Sequence, residues 1–143
     1  MDGENKSLNP ERDLAIVRLD HAREDLDTSV LVCGSGDYRS AANRSYYAIF
    51  HAMRAVLALD EVDMSKHSGI MAEFRRRYLK TEILDRKLSA TITQAFEVRN
   101  ASDYDDFYIV AREDVDLQID KATQFIIAIG EYLATQGVRI PER

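Results

Sequence analysis

The chain has 143 residues, of which 45% are hydrophobic and 31% charged, with six glycines, two prolines and a formal net charge of −6. That length suits one domain able to bury a core without staples, and so little Gly and Pro reads as a helix-rich globular protein. The acidic balance excludes a generalised DNA-coating protein, and the lone Cys33 excludes an intramolecular disulfide framework or a cysteine-based zinc site.

Nothing in MDGENKSLNPERD has the apolar segment of a signal peptide, and the longest apolar run, Phe125 to Ile129, is far too short to span a bilayer. A cytoplasmic protein with no membrane association is expected, in keeping with a reducing compartment. Residues 1–8 read as a flexible N-terminus, 9–137 as a single helical domain and 138–143 as a short C-terminal tail.

Asn9 and Pro10 form a helix start, a capping side chain followed by a residue with preset φ. Apolar residues then recur at Ala15, Leu19, Ala22, Leu26 and Val30, and CGSGD (Cys33 to Asp37) ends that helix. Asp37 or Ser40 can cap a second helix with two apolar stripes. One is small: Ala41, Ser45, Ala48, Ala52, Val56 and Leu59. The other is large: Tyr46, Phe50, Met53 and Leu57. A helix apolar on two faces is central in a bundle or shared with another subunit. Its remaining face aligns Arg44, Tyr47, His51 and Arg54, spaced three, four and three apart.

DEVDMSKHSG is a turn with a fresh cap at Ser65, opening a basic helix through GIMAEFRRRYLK, and His67 reads as a first-turn surface residue. From Ser65 to Lys80 five Lys/Arg face only Glu73; from Glu97 to Asp120 eight Asp/Glu face Arg99 and Arg112. The basic patch is either a solvated face or a local site for an anionic partner. Asp85 can cap the fourth helix, whose inward stripe is Leu88, Ile92, Ala95 or Phe96, then Arg99. The last helix shows Val115, Ile119, Ala122, Ile126, Ile129 and Leu133, with Gly137 as its stop. Strand signals are missing, so an all-α, antiparallel bundle of four to five helices is expected.

Two groups carry the candidate chemistry. Arg99 falls on an inward stripe, where a guanidinium needs partners because it cannot shed its proton. Asp103, four residues on, can pair with it, or Ser102 or Asp103 can cap a short following helix. Alternatively Arg99 reaches a phosphate, with Tyr104 as a stacking or hydrogen-bonding partner. Arg44, Tyr47, His51 and Arg54 could line a basic, aromatic groove for a single strand or nucleotide, or form a polar seam between helices. Three histidines in separate segments, with no HExxH spacing, make no metal set, and no phosphate loop or nucleophile motif occurs; no metal or cofactor is expected.

ANRSYYAIFHAMRAVL, SKHSGIMAEFRRRYLK and FEVRNASDYDDFY, in that order, resemble the HEPN family of small helical domains. The resemblance implies a helical bundle that is commonly homodimeric. It also implies RNA or nucleotide as ligand and, in many members, a minimal nucleotidyltransferase partner in a toxin–antitoxin-like module. HEPN ribonucleases are metal-independent and carry an arginine, a gap of four to six residues, then a histidine, their site usually assembled across the dimer interface. The arginine maps to Arg99, but the histidine would fall at Tyr104, Asp105 or Asp106. The chain therefore resembles the branch with an Arg–Asp–Tyr corner, which assigns Arg99, Asp103 and Tyr104 to the site. In some members a tyrosine near this corner is nucleotide-modified by the partner enzyme, which makes Tyr104 or Tyr108 a possible target. A metal-independent endoribonuclease enlisting His51 or His67, and a structural dimerisation module, are the alternatives.

Overall fold

Pro10 has no amide to leave unpaired, and the carbonyl of Asn9 accepts from Arg12 and Asp13, so the first helix begins where the sequence pattern starts. The computed structural model describes residues 9–141; the N-terminal residues 1–8 expected to be flexible, and residues 142–143, lie outside the described residues. Five α-helices follow in order: α1 (Pro10–Gly34), α2 (Tyr38–Leu59), α3 (His67–Phe74), α4 (Leu88–Tyr104) and α5 (Arg112–Thr135). A π-helical turn, Arg75–Leu79, extends α3. No strand occurs among the described residues, in agreement with the expected all-α bundle.

Helix α2 is the axis. It touches α1, α3, α4 and α5, most extensively α1, and both of its apolar stripes are buried inside this chain. Ala41, Ala48 and Ala52 have no exposed surface, which lets neighbouring helices approach its backbone closely. Tyr46, Phe50, Met53 and Leu57 fill the other side with Phe74, Phe125 and Ile129. The second helix is thus central rather than shared: neither stripe is left over for another subunit.

Polar pins fix its rotation. Ser29 Oγ donates to the Ala41 carbonyl at 2.7 Å, and Gln118 Nε2 donates to the Ala42 carbonyl at 3.0 Å and to Ser45 Oγ at 2.6 Å. Val30, expected on the buried stripe of α1, is instead 53% exposed. A pure four-residue repeat drifts off a 3.6-residue helix, so after Leu26 the inward position falls to Ser29 and then Cys33.

Caps follow the residue chemistry more closely than the expected positions. Asp37 caps α2, accepting from the Ser40 amide at 3.1 Å and the Ser40 hydroxyl at 2.7 Å. Ser65 does not cap α3: Lys66 holds that position, and its carbonyl accepts from Ile70. Asp85 takes the Lys87 amide at 2.9 Å ahead of α4. The short helix considered after Ser102 is absent, because α4 runs on to Tyr104 with Ser102 fully buried inside it.

Helices α1, α2 and α5 end alike. In each, the residue two beyond the cap position donates back to a carbonyl five residues earlier: Asp37 to Val32, Val62 to Leu57 and Val138 to Leu133. This ending needs a left-handed residue. Gly36 (φ 89) and Gly137 (φ 78) supply it at α1 and α5, but Glu61 (φ 57) must do so at α2. Beyond α5, Val138 is buried, and the carbonyls of Gly137 and Pro141 accept from Arg12 and Arg23.

The expected basic patch is largely spent on structure. Arg75 donates to the Ser89 hydroxyl and carbonyl and to Thr93 Oγ1, tying the π-turn to α4, while Arg76 and Arg77 share Glu73.

Two stability changes follow. Ala52→Leu overfills the α2 seam and should cost about 1–3 kcal/mol in urea unfolding. Glu61→Gly relieves a left-handed non-glycine and should gain about 1 kcal/mol by the same measurement.

Candidate functional site

The third face of α2 carries Arg44, Tyr47, His51 and Arg54 in one row; α1 flanks it through Arg18, His21 and Asp25, and α3 and α4 meet it at Tyr47 through His67 and Arg99. Tyr47 joins this row to the α4 corner. The Arg44 guanidinium lies 5.4 Å from the Tyr47 ring centre, and that of Arg99 lies 5.7 Å from the same ring and 5.4 Å from that of Tyr46. The two groups proposed separately from sequence are therefore one cluster.

Arg99 is held loosely for so enclosed a charge. Its side chain is only 17% exposed, yet its contacts are long: Nη2 donates to Tyr47 Oη at 3.3 Å and Nη1 to Asn100 Oδ1 at 3.4 Å. Nε lies 3.1 Å from Asp103 Oδ2, close enough for ion pairing, but the contact is too far off axis for a hydrogen bond, leaving that N–H buried and unmatched. Asp103 thus neutralises Arg99 without satisfying it. Tyr104 stands apart from the cluster, 75% exposed at the last position of α4.

His67, expected at the surface, is instead drawn into the aromatic cluster. Its ring stacks on Phe50 with centres 4.1 Å apart and meets Tyr47 edge to face. Its Nδ1 lies 2.9 Å from Tyr46 Oη. Burial pushes the Tyr46 phenol up to about 12, and burial, with Arg99 and Arg54 nearby, pushes the imidazole down. Both groups are therefore neutral near pH 7, and the buried phenol satisfies its proton by donating to Nδ1. That tautomer leaves the proton on Nε2. The signal for His67 was its place two residues before Gly69 at the mouth of a helix packed on Tyr46, which spacing within one segment does not reveal.

At the other end of the row, Asp25 pairs with Arg44 at 3.1 Å and lies 3.6 Å from His51 Nε2. Because that carboxylate is already engaged, it does not hold a proton on His51. Burial, with Arg54, His21, Arg44 and Arg18 around it, brings the imidazole down to about 4. Arg54 and the buried Arg18 share Asp63. Four guanidiniums thus face three carboxylates, a local positive excess in an acidic chain. A cleft of about 840 Å³ between α1, α5 and residues 137–140 shares no residue with this cluster. Among the described residues no three His, Cys, Asp or Glu side chains come together as a metal set, and no helix is long and apolar enough to cross a membrane.

The HEPN domain pattern matches residues 16–132, from within α1 to within α5. The chain belongs to the HEPN family. A UPF0332 protein of Thermotoga maritima is 37% identical over 108 residues, 76% of this chain and 82% of the relative. A Methanocaldococcus jannaschii protein named "Putative toxin" is 28% identical over 120 residues, 84% of this chain and 82% of the relative. His67, from α3, lies close enough to Arg99 for that guanidinium to disfavour its imidazolium form.

The low position of His51 sets a pH dependence. An unfolded histidine binds a proton near pH 6.5 that the folded site refuses until about 4, so stability is intact above 6.5 and is lost as pH falls towards 4. His67 acts in the same direction. Thermal unfolding midpoints should therefore drop more between pH 6.5 and 4 for the wild type than for His51→Gln. Parallel curves would show that His51 is protonated without penalty.

Proposed function

We propose that this is a toxin-like HEPN protein that binds RNA or a nucleotide through the Arg99 corner, acts as a homodimer and works with a nucleotidyltransferase partner. The observation that carries the reading is Arg99 itself. A guanidinium 17% exposed, with contacts of 3.3 and 3.4 Å and an unmatched Nε–H, has donors to spare for a phosphate oxygen. Asp103 orients Arg99 and would yield it to a stronger anion. Arg44, Tyr47 and Arg54 extend the same surface along α2, giving cations interleaved with aromatic rings for a strand to follow. The toxin name of the archaeal relative supports the wider setting. Tyr104, exposed where Tyr108 is partly covered, is the more accessible of the two tyrosines for modification by the partner.

The test is binding of short RNAs and of ATP to wild type and Arg99→Ala. Loss of one charge-assisted phosphate contact should weaken binding about tenfold or more. Equal affinities would remove Arg99 from the site.

One observation favours a catalytic second reading. His67 brings near Arg99 an imidazole, a group able to exchange protons that the α4 corner lacks. EDTA-resistant RNA cleavage lost in both Arg99→Ala and His67→Gln would establish it, and a purified dimer inert on varied RNAs would reject it.

A further inference from the structure

A second cleft, about 520 Å³, opens beside His67 under the 60–66 turn, lined by Phe50, Arg54, Asp63, Met64, Ser65 and His67. Its charges do not balance. Arg18 Nη2 and Arg54 Nη2 both rely on Asp63 Oδ1, at 3.3 and 3.4 Å, and the Asp63 side chain is 72% exposed. Arg18 cannot turn away to find another acceptor, being 6% exposed with Nη1 committed to the Arg54 carbonyl at 3.2 Å. Arg54 Nε is buried without a partner. One solvated carboxylate therefore answers two guanidiniums, and a screened surface ion pair of this kind is weak. The cleft's remaining polar wall is made of donors. With Tyr46 occupying Nδ1, His67 offers Nε2–H, and Ser65 adds a hydroxyl.

We propose that this cleft is a second phosphate subsite, in which Arg54 and the Nε2–H of His67 donate to the oxygens of one phosphate group while Asp63 swings into solvent. The inference rests on the phosphate-binding reading of Arg99 and extends it: the ligand carries at least two phosphates, one at Arg99 and one at Arg54. Two sources share that chemistry, a nucleoside polyphosphate and an RNA backbone.

The experiment follows the His67 ring by histidine NMR while inorganic phosphate is added. Phosphate should shift the His67 signals and raise the pH at which the ring titrates, since an anion beside it favours imidazolium. Arg54→Gln should weaken this response about tenfold. Asp63→Asn, which removes the competing carboxylate, should strengthen it several-fold, a gain that misfolding cannot produce. An unchanged His67 signal, or equal responses in wild type, Arg54→Gln and Asp63→Asn, overturns the subsite. Arg99→Ala separates the two ideas. If it abolishes RNA and ATP binding while His67 ignores phosphate, the Arg99 reading stands and the subsite falls; if it leaves RNA and ATP binding intact while His67 responds, the subsite stands alone. Displacement of phosphate by ADP or by a five-nucleotide RNA then identifies the source, and displacement by neither overturns the assignment.

Discussion

The close seating of α2 against α1 is the constraint from which the rest follows. Along Ala41, Ala48 and Ala52 no side chain exceeds a methyl group, so the helices approach until Ser29 reaches a backbone carbonyl of the neighbouring helix. Gln118 does the same from α5. A helix pinned by hydrogen bonds to its own backbone cannot rotate, and each residue of rotation would swing its outer face by about 100°. With rotation set, Tyr46 is committed to the core, Tyr47 to the boundary, and Arg44, His51 and Arg54 to one rim. The geometry of the charged cluster is inherited from alanine packing on another face of the same helix.

The anion site proposed for that cluster is compatible with an acidic protein. Net charge acts over a Debye length of about 8–10 Å, whereas a bound phosphate responds to the groups it touches. In the proposed site the carboxylate partners of Arg18, Arg54 and Arg99 are shared, solvated or misaligned, which leaves donors incompletely used. Aromatic side chains around them limit water, and the acceptor that Tyr47 offers Arg99 is distant, at 3.3 Å. Neutral histidines complete the picture: they keep the site from accumulating more positive charge, and they leave N–H groups in place.

The fold was legible because the helical stripes were long and the turns were short. The two faces of α2, the stripe of α5 and the stop at Gly137 could all be read from spacing. Local errors arose where tertiary contacts overrode a repeat: Val30 lost its inward place to Ser29, and the cap moved from Ser65 to Lys66. For the site, the alignment of Arg44, Tyr47, His51 and Arg54 is a property of one helix and was visible. So was the Arg99–Asp103 pair, four residues apart on another. What spacing could not supply was the junction between them, since Tyr47 meets Arg99 across 52 positions of sequence. His67 was misplaced for the same reason: its surroundings come from α2, and a residue that opens a helix looks exposed until the partner helix is known.

The π-turn after α3 has a consequence of another kind. Between Arg75 and Lys80 the chain takes one residue more than an α-helix needs, with the Lys80 amide reaching back to the Arg75 carbonyl at 2.8 Å. That surplus lets Arg75 face α4 while Tyr78 and Leu79 still turn inward. It works as a phase correction, advancing the register so that a cation and two core residues on adjoining turns can each meet a different neighbour. Deleting one residue there would regularise the helix and put everything beyond it out of step with the bundle, so this short stretch should tolerate substitution far better than a change in length.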